Sequence, residues 1–199
     1  MLKKSGLFSI LVIAMLSGCS AGDATSAQSD ATESSAVGSQ GQELKSPPLP
    51  SPTLAVPDDS RVAFYFDAIG VQIYSCQAKT DGYAWTFQAP EASLFDRRGH
   101  LVVKHYGGPT WESAIDHSSV VAKKIAEFSA HADAIPELLL QATTHDGPGV
   151  MDDVTYIQRL DTAGGLAPTA GCDAAHVGAS ARVDYTATYF FSRPKANCN

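Results

Sequence analysis

The chain has 199 residues, 44% of them hydrophobic, with 14 Lys and Arg against 21 Asp and Glu and a formal net charge of -7. That balance, without a Lys/Arg stripe anywhere, lacks the electrostatic footprint of a phosphate-backbone binder, so nucleic acid is not an expected partner.

At the N-terminus, Lys3 and Lys4 precede an apolar run from Leu7 to Leu16 that is too short to span a bilayer, the pattern of a secretory signal. The run ends in Leu16-Ser17-Gly18-Cys19, a match to the bacterial lipobox, in which the cysteine sulfur is the group to be acylated. Residues 1–18 therefore read as a lipoprotein signal peptide and Cys19 as the lipidation site, with an ordinary signal carrying an incidental cysteine as the alternative. Ser20 rather than Asp follows Cys19, which by the sorting habit of Gram-negative lipoproteins favours the outer membrane. Residues 19–52 are rich in Ser, Ala, Gln, Gly, Thr and Pro without apolar periodicity. They read as a disordered tether whose last part, Ser46 to Pro52, is a stiffer proline-rich spacer.

Residues 53–199, on the order of 145 positions, fit one domain with its own core. Three cysteines remain there, Cys76, Cys172 and Cys198, which permit three single pairings in an oxidising compartment. None forms CxxC or a zinc-finger spacing, so neither thiol redox nor structural zinc is expected. Val62 to Phe66 and Val71 to Cys76 are two apolar runs around Asp67 to Gly70, a bent strand or a hairpin. Tyr83 to Ala89 and His100 to Tyr106 alternate as half-buried strands. Pro90-Glu91 resembles a helix or turn start, where an acid has a plain electrostatic role. Ser118 to Ala130 suits either period and is read as strand, and Leu138 to Thr144, Val154 to Leu160 and Arg182 to Ser192 complete the set. Many short strands without a long amphipathic helix predict an all-β sandwich or barrel with long loops.

Six ordered stretches carry a resemblance: Gly70 to Cys76, Ala89 to Asp96, His105 to Glu112, Val154 to Pro168, Gly171-Cys172 and Tyr185 to Phe191. Together they are similar to domain-of-unknown-function family 3455, secreted proteins of bacteria and fungi. The resemblance implies a single compact secreted domain and a Cys76–Cys172 disulfide, because those cysteines lie inside the family's motifs and Cys198 beyond them. It implies no chemistry. Two departures stand out: Asp116-His117-Ser118 where the family tends to read Asp-Gly-Ser, and Ile135-Pro136-Glu137 where it tends to read Ile-Pro-Trp.

The stretch His105 to Val121 concentrates the candidate chemistry. His105 would be a base, Glu112 or Asp116 its orienting carboxylate, and Trp111 a stacking platform for a flat ligand, with Gly107-Gly108-Pro109 bending both arms toward one pocket. The structural alternative makes Gly-Gly-Pro a turn, Trp111 core, and His105 and Asp116 hydrogen-bonded loop groups, the commoner fate of such residues. No nucleophile elbow accompanies them. Carboxylates for glycosidic cleavage could be drawn from Glu91, Glu112, Asp116 and Asp153, but chain spacing does not give their separation. A metal site from His105, Asp116 and His117 lacks a close ligand motif, so no metal and no cofactor is expected. The glycine-rich run from Asp161 to Asp173 lacks a phosphate-loop context and reads as a long loop pinned by Cys172. Arg159 would pair with a buried acid or hold an anionic ligand, the pairing being preferred.

The function this supports is a lipid-anchored binding or envelope-interaction module. It would meet the membrane through its N-terminal lipid and hold an unknown small molecule or envelope protein. A hydrolase of an envelope or extracellular substrate using His105 with Glu112 or Asp116 is the first alternative, and a structural envelope protein the second.

Overall fold

A computed structural model describes residues 44–196. Cys19, the signal peptide, most of the tether and Cys198 lie outside the described residues. A single 3-10 turn at Pro52–Leu54 precedes eight strands: β1 Ser60–Lys79, β2 Gly82–Phe95, β3 Leu101–Tyr106, β4 Thr110–Ser113, β5 Ser119–Phe128, β6 Glu137–Asp146, β7 Tyr156–Gly164 and β8 Ser180–Pro194. Each pairs antiparallel with the next, and β8 returns to β1, so the sheet closes into a barrel. The all-β expectation holds, and barrel rather than sandwich is the outcome.

Closure rests on the longest pairing in the molecule, β1 with β8, which runs from Ser60↔Pro194 to Ser75↔Ser180. β1 is one strand rather than a hairpin. Gly70 lies in its middle as a point of close approach, since a Cβ there would sit 2.3 Å from the Glu91 carbonyl oxygen. Successive inward positions of β1 are Phe64, Phe66, Ala68, Gly70, Gln72 and Tyr74, a period-two series that lines the interior. Phe64 and Phe66 meet Phe191 of β8, and Trp111 packs edge-on against the same ring. This aromatic cluster is part of the packed core inside the barrel.

Pro90-Glu91 does not start a helix; both residues lie inside β2. Pro90 sits just past the last β2–β3 pair, Ala92↔His105, on a stretch of β2 with one strand neighbour only. A proline is tolerated there because the ladder on that side has ended. Glu91 faces solvent and pairs with Arg182 at 2.8 Å. Ser119–Phe128 is a strand as read, bent by two register shifts.

The packed body begins inside the proline-rich spacer. Leu49, Leu54 and Val56 lie across the outer face of the sheet against Leu139, Leu160, Tyr156 and Phe190. Gln158 Nε2 donates to the Leu54 carbonyl at 2.6 Å and ties this strap to β7. At the opposite side of the chain's course, Cys76 at the end of β1 is bonded to Cys172 in the β7–β8 loop. The Tyr74 hydroxyl donates to the Gly165 carbonyl at 2.6 Å and holds the start of that loop over β1.

Candidate functional site

The site arises from a mismatch in strand length. β3 has six residues and β4 four, whereas β2 has 14 and β5 ten. β2 leaves β3 beyond Ala92↔His105, and β5 leaves β4 beyond Thr110↔Val121. The long arms of β2 and β5 thus rise past the β3–β4 hairpin with no strand between them. The Gly107-Gly108-Pro109 turn forms the sill of this notch. A Cβ on Gly107 would meet Ala89 of β2 at 3.3 Å, and the Pro109 carbonyl accepts from Ala122 N–H of β5 at 3.2 Å, so the turn is fitted between both arms. Gly108 supplies the positive φ of 113° that the tight connection needs.

Behind the notch lies a cavity of about 650 Å³, within the range of small-molecule sites. Phe87, Gln88, Lys123, Lys124 and Glu127 surround its mouth, with Lys124 and Glu127 ion-paired to each other. Val121, Ile135, Leu138 and Leu140 make apolar walls, and Gln72, Tyr74, His105, Trp111, Arg159 and Tyr189 line its deep part. Gln72 Nε2, Trp111 Nε1 and Arg159 Nε are buried donors without a hydrogen-bond partner in the protein. They belong to residues of the cavity lining but are themselves shielded, so the charged group that the lining leaves without an anion is Arg159.

The electrostatics are one-sided. The His105 ring lies flat on Trp111, centroids 4.2 Å apart, and its Nδ1 is 2.9 Å from the Thr110 carbonyl. A carbonyl only accepts, so Nδ1 carries the proton and Nε2 is the bare nitrogen. Burial, with the Arg159 charge adding to it, lowers the His105 pKa to about 3, so the ring is neutral. Burial likewise raises the phenols of Tyr74, Tyr185 and Tyr189 and keeps them protonated. Arg159, 8% exposed, donates from Nη2 to the Pro136 carbonyl at 2.7 Å. It forms no ion pair with a carboxylate among the described residues.

Residues 57–193 match the family described as protein of unknown function (DUF3455). The chain belongs to that family. No curated protein matches the chain, and no solved structure does.

Of the DUF3455 stretch His105 to Asp116, the barrel brings His105 and Trp111 together with Arg159 and leaves the carboxylates elsewhere. His105 and Trp111 are register partners facing inward, so Glu112, one residue on, faces outward. There it accepts from the Tyr106 hydroxyl at 2.8 Å and lies 3.5 Å from His117. Asp116 is in the β4–β5 loop at the other end of the barrel, accepting from Ser118 Oγ at 2.7 Å, Ser118 N–H at 3.0 Å and Val150 N–H at 2.9 Å. Those bonds, the Ser118 hydroxyl first, hold its carboxyl well below the usual carboxylate range. Neither acid touches His105, so the hydrolase arrangement of base and orienting carboxylate is not assembled. The preferred partner of Arg159, a buried acid, is also absent. Glu137, the buried acid of the described residues, neighbours Leu138, which is the register partner of Arg159, and so points to the other face of the sheet. Its Oε1 accepts from Asp161 N–H at 2.9 Å instead.

Both DUF3455 departures are structural. His117, in the glycine position of the family pattern, adopts a φ of 61°, and Glu137, in the tryptophan position, fastens the β7 bulge at Asp161. The Cys76–Cys172 disulfide is the pairing that the family resemblance implies. Among the described residues no group of three His, Cys, Asp or Glu is placed to hold a metal ion. Gln72 and Tyr189 were not candidates from sequence. Gln72 carried a readable signal, as the polar member of the inward series of β1, whereas nothing local distinguished Tyr189 from the aromatic residues beside it.

Proposed function

We propose that this protein is a small-molecule binding module, taking one largely apolar molecule with a hydrogen-bond-accepting end into the barrel through the notch above Gly107-Gly108-Pro109. The observation that carries the reading is the cavity itself, with apolar walls and the buried Arg159 in its lining. An eight-stranded barrel has an interior that side chains either fill or leave open for one small ligand; here the aromatic cluster packs part of the interior and Trp111 of that cluster lines the cavity. The lipobox at Leu16 to Cys19 and the tether support display of this module from a lipid anchor at the cell envelope, on the outer membrane.

The test uses the chain from Ser20 to Asn199, purified from a periplasm without detergent or refolding. N-phenyl-1-naphthylamine, a neutral apolar fluorophore, is expected to bind saturably at one site per chain. Leu138→Trp, which adds bulk to a half-buried wall position, is expected to abolish that binding while leaving the circular dichroism spectrum unchanged. A wild-type barrel that does not bind the probe, or a folded Leu138→Trp variant that binds it equally well, would refute the reading.

A further inference from the structure

We propose that the molecule held in the barrel is a single-tailed carboxylate, its anionic head seated against Arg159 and its alkyl tail lying along Leu138 and Leu140 toward the notch; this rests on the small-molecule reading above.

The argument begins with charge. A guanidinium stays protonated in any protein setting. Burying one without an anion costs several kcal/mol, and for that reason buried cations are found paired. Arg159 is buried with only neutral partners, the Pro136 carbonyl and the Tyr189 phenol, and no carboxylate, and strand register turns Glu137 away from it. Its neighbours cannot supply the missing charge, because His105 is neutral and Tyr189 is a protonated phenol. An anion from outside the chain completes the site.

The chemistry of the lining then narrows the class. Arg159 is the charged residue of the deep lining, and Gln72 and Trp111 are polar residues of the same lining. A carboxylate accepts only, through two oxygens with about four lone-pair sites, and matches the planar fork of arginine. Val121, Ile135, Leu138 and Leu140 give the lining an apolar stretch that suits a hydrocarbon tail. The mouth has Lys123 and Lys124 on β5, with Lys124 already neutralised by Glu127. Both rim lysines are exposed to solvent, which stabilises their charge without an anion, whereas Arg159 is buried, so the anion's place is the deep end.

The experiment is competition against N-phenyl-1-naphthylamine with the Ser20 to Asn199 chain, using dodecanoate and 1-dodecanol, which share one chain length and differ in charge. Dodecanoate is expected to displace the probe at about 10-fold lower concentration or better, the worth of a charge-assisted hydrogen bond. Arg159→Met is expected to bring the two competitors level while the probe still binds, and Arg159→Lys to keep part of the preference. If dodecanol competes as well as dodecanoate against a probe that binds wild type, the carboxylate inference is overturned and the cavity reading survives. If a folded Arg159→Met variant keeps the full preference, the role of Arg159 is overturned. Absence of probe binding to wild type overturns the cavity reading and this inference with it. The wild-type comparison decides the inference by itself if Arg159→Met does not fold.

Discussion

His105 and Trp111 are opposite one another in the β3–β4 ladder and stack with 11° between their ring planes, while Tyr189 meets both rings edge-on. This sandwich makes a buried imidazole tolerable only when neutral. The His105 pKa falls from its ordinary 6.5 to about 3. Between those values the unfolded chain takes up a proton that the folded barrel refuses. Stability from this group is therefore fully present above pH 6.5 and is lost as the pH falls toward 3, by on the order of 3 to 5 kcal/mol across the window. His105→Asn keeps a donor for the Thr110 carbonyl and does not titrate. It is expected to be less stable overall but to flatten the dependence of the urea midpoint on pH from 6.5 to 4; an unaltered slope would assign the acid lability to other groups.

Gly70 is expected to tolerate no side chain. An added Cβ would lie 2.3 Å from the Glu91 carbonyl oxygen and 2.4 Å from the Ala92 Cβ. Gly70→Ala must separate β1 from β2 beside Glu91 and Ala92, with a cost of about 2 to 4 kcal/mol. Chemical denaturation measures it, and a variant within 0.5 kcal/mol, roughly the spread of neutral surface changes, would contradict the close approach.

The strap outside the barrel is also a stability element. Leu54 is fully buried against Leu139 and Leu160. Leu54→Ala is expected to cost about 2 to 4 kcal/mol and to leave probe binding in the folded protein unchanged, because the strap and the cavity are on opposite faces of the sheet. Loss of binding at full folding would show that the strap also shapes the interior.

Removal of the disulfide, with Cys76→Ala and Cys172→Ala together, frees a loop whose ends are 96 residues apart in sequence. The chain-entropy model gives roughly 3 to 5 kcal/mol for such a loop. Thermal melts of wild type with and without reductant should reproduce the difference seen in the double variant. Equal melting temperatures in all three would mean that the bridge adds nothing to the folded state.

Asp116→Ala separates a loop role from a catalytic one. The carboxylate joins the β4–β5 loop to Val150 in the β6–β7 loop. Amide hydrogen exchange is expected to quicken at Ser118 and Val150 while β1 and β8 stay protected. A loss of probe binding without such local opening would move Asp116 into the site.

The pairing of polar and apolar residues along β3 was legible, since alternation is a property of neighbouring positions. It put Val103 and His105 on one face and Lys104 and Tyr106 on the other. Glu112 was harder to assign, because its face depends on the register of β4 against β3, and a shift of one residue exchanges the two faces. Gln72 was readable as the polar member of the apolar series from Phe64 to Tyr74, yet its meaning required the cavity. Arg159 was expected to find a buried acid. Glu137 is buried on the neighbouring strand, but register directs it to the other face, a fact no local pattern contains.

By itself the sequence determined an all-β domain and the inward phase of β3 and β8, because burial with period two is written locally in residue types, but not that of Tyr83 to Ala89, where Tyr83 and Phe87 are exposed. Resemblance to a family added the disulfide. Tertiary structure alone decided that the sheet closes, that a short hairpin leaves a notch between two long strands, and that the cavity behind it holds a cation without an anion. These depend on contacts such as Ser60↔Pro194, made between chain ends by hydrogen bonds and stagger that carry no local signature.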